Sequence, residues 1–334
     1  MCEHRQYGRD VSWRLCGISH GGTGYTPDLV GLESTYLIIK EKMNSSSRYE
    51  EEMELWMWLG KQFLGESLAI SGFEDFKSAV KRSLFDDVEH IVAKAGQKVP
   101  PVNPEIVAKE RKVIEIERVA LDMDTDAMIV PCRDGFQLKL NKKLPLVRQR
   151  FACAHQIGHT YFFDINKNPP EKPYRRSTSH YWVEEGLCYE IARRILMPTS
   201  MMHEWMENAN PPYIKEFKDM MLSFLVSGEL LSYRIQDIGS WDVLMLIFES
   251  GGGAIMLYKV LKSGNRMGNV HVARRGLKVT DPTLHDLLSR AFKGEMVQEE
   301  GINLTIGDLR GEIASFGASY MGSYPPKVIA ILTL

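Results

Sequence analysis

Two histidines four residues apart, His155 and His159, fall in a stretch from Val147 to Phe163 that contains no proline. Within it Phe151, Ala154, His155, Gly158, His159 and Phe162 recur at helical spacing, which predicts a helix. Residues four apart lie on one helix face, so both imidazoles can reach a single metal ion. A histidine pair on a half-buried helix is also an ordinary polar feature, and it gains weight only from a third donor. Trp182 to Met197 reads as a second helix stopped by Pro198, with adjacent carboxylates, Glu184 and Glu185, near its start. Zinc at a catalytic site takes three protein ligands and keeps a position for water, and two His plus one Glu is an established set. Helical spacing does not choose between the two acids, since each has apolar residues three, four or seven positions on.

At 334 residues, 44% of them hydrophobic and 25% charged, the chain has room for two or three globular domains. Lys plus Arg number 41 against 43 Asp plus Glu, and a net charge of -2 gives no general attraction to nucleic acid or to an anionic membrane. No apolar run approaches eighteen residues, and the opening Met-Cys-Glu-His-Arg lacks the apolar core of a signal peptide, so a cytoplasmic location with no membrane partner is expected. The five cysteines, Cys2, Cys16, Cys132, Cys153 and Cys188, show no framework spacing, which suits a reducing compartment. Cys153 and Cys188 read as small apolar fillers beside the two helices, and Cys2, His4, Cys16 and His20 match no standard zinc-finger spacing.

Residues 1–72 read as an extension with loop signals at Gly21-Gly22-Thr23-Gly24 and Asn44-Ser45-Ser46-Ser47 and one helix, Arg48 to Leu64. Ser71-Gly72-Phe73-Glu74 has the form of a capping box, and a stripe from Phe73 through Val80 and Val88 to Ala95 predicts a long helix ending at Gly96. After a proline turn and a short helix from Glu105 to Arg111, Val113–Val119, Ala127–Pro131 and Phe136–Leu140 read as a three-stranded meander that turns at Asp134-Gly135. Such a sheet beside the histidine helix offers an edge for an extended peptide. Asp164 to His180 reads as a loop over the cleft, in which Arg175, Arg176, His180 and Tyr181 are candidates for stabilising an oxyanion.

Beyond Pro198, helices are expected over Met201–Glu207, Tyr213–Phe224 and Gly228–Ile238, the last capped by Ser227 and ended by Gly239. The final pair has the form of a helix-turn-helix. Only Arg234 and a few lysines are there to meet phosphates, so packing is the expected role and specific nucleic-acid binding is not expected. From Trp241, strands at Val243–Phe248, Ile255–Leu261 and Val328–Leu332 and a helix opened by Asp281-Pro282 predict a mixed α/β domain.

Arg150-Phe151-x-x-Ala154-His155-x-x-Gly158-His159, Glu185-x-x-Cys188 and the run Ala192 to Pro198 together resemble the ImmA/IrrE family of zinc metallopeptidases. The resemblance implies His155, His159 and Glu185 as ligands of Zn2+, with Mn2+ as the alternative ion. It implies an α+β chain: a zincin-like peptidase domain over 73–198, a helix-turn-helix-like segment over 199–240, and a C-terminal domain over 241–334 similar in place and size to the GAF-like sensor domain of longer IrrE proteins. The activity implied is cleavage of a DNA-binding transcriptional repressor, which switches on stress or mobile-element genes. One residue departs from the family's pattern. Where the family has the Glu that takes a proton from zinc-bound water and passes it to the leaving amine, this chain has Gln156. An amide keeps nearly the shape of a carboxylate but accepts no proton near neutral pH, so metal binding should survive while general-base catalysis, worth ~10²–10⁴-fold, should not. The other expectation is therefore a metal-binding regulatory or scaffold protein that holds a repressor or another partner without cutting it.

Overall fold

The computed structural model describes residues 47–65, 72–122, 124–173, 178–271, 276–322 and 326–334, a mixed α+β chain with nine α-helices and two sheets among them. The cysteine and histidine set near the start, the glycine loop signal, Asn44 to Ser46 of the serine one, Ser71, Arg175 and Arg176 lie outside these residues. No helix among the described residues is long and apolar enough to cross a membrane. The chain divides into two compact units, one running to Gln97 and resuming over Asn103–Ile195, the other holding Lys98–Val102 and Leu196–Leu334. The three helices after Pro198 thus share a unit with the C-terminal sheet.

In the first unit α1 (Ser47–Leu64) lies against α2 (Phe73–Lys94) so closely that a Cβ on Gly60 would come within 2.4 Å of the Phe76 ring. The apolar stripe read from α2 is the buried one: Phe73, Phe76, Val80, Leu84, Val88 and Ile91 all face inward. Its N-cap is Gly72, which offers no side-chain cap. The short α3 (Pro104–Lys109) is capped by Asn103, whose side chain accepts from the Glu105 N–H at 3.0 Å.

The small sheet corrects the expected meander. Strands β1 (Val113–Val119), β2 (Ala127–Cys132) and β3 (Gly135–Asn141) are ordered β1-β3-β2, with β2 and β3 an antiparallel hairpin and β1 parallel to β3. The connection over 120–126 is long enough to carry the chain across to the far side of β3, which leaves β1 and β2 as the two outer strands. Two helices follow: α4 (Leu146–Thr160) carries the histidines and α5 (Thr178–Leu196) the glutamates.

In the second unit α6 (Thr199–Glu207), α7 (Ile214–Phe224) and α8 (Gly228–Ile238) precede the sheet, and Ser227 and Gly239 cap α8 as their residue types suggest. The sheet has five antiparallel strands, β4 (Val243–Gly251), β5 (Ala254–Ser263), β6 (Val297–Ile306), β7 (Leu309–Tyr320) and β8 (Lys327–Thr333), in the order β5-β4-β8-β7-β6. The apolar runs Val243–Phe248 and Val328–Leu332 are buried throughout, as strands covered on both faces require. On one face, α9 (Pro282–Phe292) inserts Leu284, Leu287, Leu288 and Ala291. On the other lies α7, with Ile214 so near β7 that a Cβ on Gly317 would sit 2.7 Å from it.

Arg234, one of the few charges in the helix pair that could meet phosphates, is fully buried. Its Nε donates to the Met197 carbonyl at 2.8 Å and a terminal nitrogen donates to Thr199 Oγ1 at 2.7 Å, so it ties α8 to the corner before α6. Its place in the helix pair is therefore structural. Arg234→Ala should empty a large buried volume and strand the Met197 carbonyl, a loss of about 2–5 kcal/mol. A urea denaturation midpoint unchanged by the substitution would overturn this.

Candidate metal centre

The site is built where α4 crosses α5. A Cβ on Gly158 would lie 2.9 Å from the Cα of Cys188, so the two backbones meet at a glycine, with the buried Cys188 side chain beside it. That contact holds one turn of each helix face to face. His155 and His159 on α4 and Glu185 on α5 are all buried, and one ligand atom from each lies within 4.8 Å of the others.

The pairing of atoms separates the two acids that helical spacing leaves equal. Glu185 faces the Nε2 atoms of both histidines, His155 at 3.1 Å through Oε2 and His159 at 3.6 Å through Oε1. Glu184 turns the other way and meets the opposite side of the His159 ring, Nδ1, at 2.7 Å. An ion bound tetrahedrally at ~2.0–2.2 Å holds its donors roughly 3.4 Å apart. The Glu185 oxygens lie close to that distance from the two Nε2 atoms, and the three side chains offer the donor chemistry that fits a divalent cation.

Burial shapes the charges. It lowers the His155 pKa, which outweighs the upward pull of Glu185 and favours the neutral imidazole a metal requires. Burial works to raise the Glu184 carboxyl, but the hydrogen bond from His159 and the charges of His159 and Lys172 outweigh it and hold the pKa down at about 2. Glu185 is likewise held below the usual carboxylate range, burial being outweighed by its histidine partners. Lys172 Nζ reaches both Glu184 oxygens, at 2.6 and 2.7 Å. With Oε1 also bonded to His159, both Glu184 oxygens are engaged in hydrogen bonds.

Gln156 is buried in the same turn as the histidines, with its Nε2 3.5 Å from the Ala127 carbonyl of β2. The register explains why that carbonyl points outward. Asn141 N–H donates to the Asp126 carbonyl at 2.9 Å, so Asp126, Met128 and Val130 direct their main-chain groups at β3. Ala127, Ile129 and Pro131 then direct theirs off the free edge. Pro131 can occupy such a position because no ladder bond there needs its N–H.

Of the oxyanion candidates, His180 is buried with Nε2 3.9 Å from Glu54 on α1, and it does not join the His155–His159–Glu185 group. Tyr181 is half-buried, its ring edge-on to Trp182 at 5.1 Å. Tyr189 is the neighbour that sequence reading missed. Its ring packs edge-on to His155 at 4.7 Å and stacks on Phe151 at 5.6 Å. Burial, and then the Glu185 charge, push its phenol up to about 12. Its signal was present, since Tyr181, Glu185 and Tyr189 follow at four-residue steps along one face of α5.

Residues 118–236 match the family model Peptidase M78, described as the IrrE N-terminal-like domain. No curated protein matches the chain. Among solved structures, a Mycobacterium tuberculosis transcriptional regulator is similar at 11% identity and a TM-score of 0.49, over 75% of this chain and 76% of that one. Residues 118–236, which carry both histidines and both glutamates, are thus similar to the IrrE N-terminal-like domain.

Proposed function

We propose that this chain holds a zinc ion through His155, His159 and Glu185 and grips an extended stretch of a partner protein beside it, with cleavage impaired at Gln156. On the family resemblance the partner is a DNA-binding transcriptional repressor. The observation that carries the reading is a complete donor set beside a position that has no base: His155 Nε2 lies 3.1 Å from Glu185, while Gln156 presents an amide and Glu184 is bound on both oxygens.

Zinc in such a site polarises a carbonyl and makes water a nucleophile near neutral pH. The chain's own residues do the rest. The outward N–H and C=O of Ile129 can pair with an extended backbone laid along β2, which presents one peptide bond to the turn that carries His155 and His159. Tyr189, against His155, closes the site from the α5 side and keeps its phenol proton at neutral pH. Gln156 can orient a water or an amide by hydrogen bonding but removes no proton. On the same resemblance, the five-stranded sheet with α9 takes the place of the GAF-like sensor domain.

The test is to mix the zinc-loaded chain with DNA-binding regulators encoded near its gene and to follow both association and fragmentation. A partner that co-elutes intact, and is released when the metal is chelated, is the expected result. Rapid chelator-sensitive fragmentation by the wild-type chain would overturn the impairment. Absence of association with every regulator tried would overturn the partner class.

A further inference from the structure

We infer that Lys172 and Glu184 act as a positioning pair for the metal centre, fixing the His159 ring from behind without touching the ion. The inference rests on the zinc reading above. Lys172 stands on the segment after α4, where Asp164 and Glu171 form an antiparallel bridge, with the Asp164 N–H on the Glu171 carbonyl at 2.8 Å. Its ammonium lies over the Phe163 ring, 5.1 Å from the centroid, and bonds both oxygens of Glu184 at 2.6 and 2.7 Å.

Glu184 is fully buried, and an ionised carboxylate there is costly unless charge and hydrogen bonds compensate it. Lys172 supplies the charge, and His159 Nδ1 at 2.7 Å supplies the other bond. A carboxylate held in this way accepts the Nδ1–H, which leaves Nε2 bare and sets the plane of the ring. The bare Nε2 is the atom turned toward Glu185 at 3.6 Å. Lys172 therefore selects the tautomer and orientation of a ligand from two residues away in the bonding chain. The same lysine offsets one of two adjacent carboxylates, so that only Glu185 contributes its charge to the donor set.

The experiment uses the full chain, stripped of metal and titrated with zinc against a competing chromophoric chelator. Outer-shell partners of metal-bound histidines are typically worth 10–100-fold in affinity. Lys172→Met should weaken zinc binding about 10-fold or more, and Glu184→Gln should do the same. Lys172→Arg, which keeps the charge and the donors, should bind close to wild type. Because the pair acts as one unit, the double variant should be no weaker than the weaker single variant. Unfolding of the metal-free forms is read alongside, since a merely structural lysine would lower that transition and leave zinc affinity alone. If Lys172→Met does not fold, Glu184→Gln and Lys172→Arg carry the comparison. Wild-type zinc affinity in both Lys172→Met and Glu184→Gln, or additive losses in the double variant, would overturn the inference and leave the metal reading standing. A wild-type chain that takes up no zinc would overturn the metal reading and this inference with it.

Discussion

Gln156→Glu is expected to raise chelator-sensitive cleavage of a bound partner by ~10²–10⁴-fold over the wild-type chain, the usual worth of a positioned general base. The substitution exchanges an NH2 for an oxygen and leaves the helix, the ligands and the β2 edge in place. It removes a contact with the Ala127 carbonyl that is already at the limit of hydrogen bonding, 3.5 Å, so little stability depends on it. A carboxylate cannot donate to that carbonyl, so it should turn away from Ala127 and toward the cation. Burial raises a carboxyl pKa, which moves a Glu at this position toward the range in which it can take and return a proton. In the metal-free protein the same burial is a penalty, and Gln156→Glu should lower the stability of that form more than of the zinc-loaded one. Time courses by mass spectrometry, with and without chelator, decide the matter. Equal cleavage by both forms would show that water is activated without a base at 156. Glu184 would be a weak base in its place, because Lys172 and His159 hydrogen-bond both of its oxygens and hold its pKa down.

Much of this site was legible because its signals are local. His155 and His159 share a helix face by spacing alone, Pro198 ends the second helix, and the departure at Gln156 is visible in a single letter. The choice between Glu184 and Glu185 was not legible from spacing. Both residues have apolar neighbours at helical intervals, and what separates them is which nitrogen of His159 each oxygen meets. That depends on how α4 crosses α5 at Gly158 and Cys188, a property of two segments together. Strand order was lost for a related reason. Alternation of apolar residues marks a strand but carries no direction and no neighbour, so the parallel placement of β1 beside β3 had no sequence signature. The hairpin of β6 and β7 did have one that went unread. Ile302, Leu304 and Ile306 alternate, and Gly307-Asp308 sits between the paired Ile306 and Leu309, but glycines at 301, 311 and 317 break the pattern. Arg234 bears out packing as the role of its helix, but its own bonds to Met197 and Thr199 had no sequence signature, because they join segments far apart in the chain.

Glu185→Ala should empty the metal centre, whereas Glu184→Ala should only weaken it. Among the described residues Glu185 is the carboxylate that faces both Nε2 atoms, so its loss leaves two imidazoles without an anionic donor, too few for a closed set of three. Zinc content is then expected to fall from about one ion per chain to nearly none at micromolar metal, because a site short of one ligand cannot hold the ion against a chelator. Loss of Glu184 has a different physical character. The ligands remain, but the His159 ring loses the acceptor at 2.7 Å that orients it, and the Lys172 ammonium is left without its two bonds. Affinity should drop 10–100-fold and the site should refill when zinc is raised in proportion. Elemental analysis after dialysis at two zinc concentrations separates the cases, since only the Glu184 variant regains the ion at the higher one. The reverse outcome, an empty site in Glu184→Ala and a filled one in Glu185→Ala, would mean that the metal sits on the Nδ1 side of His159. The third ligand would then be Glu184, and Glu185 would be the residue that steadies His155.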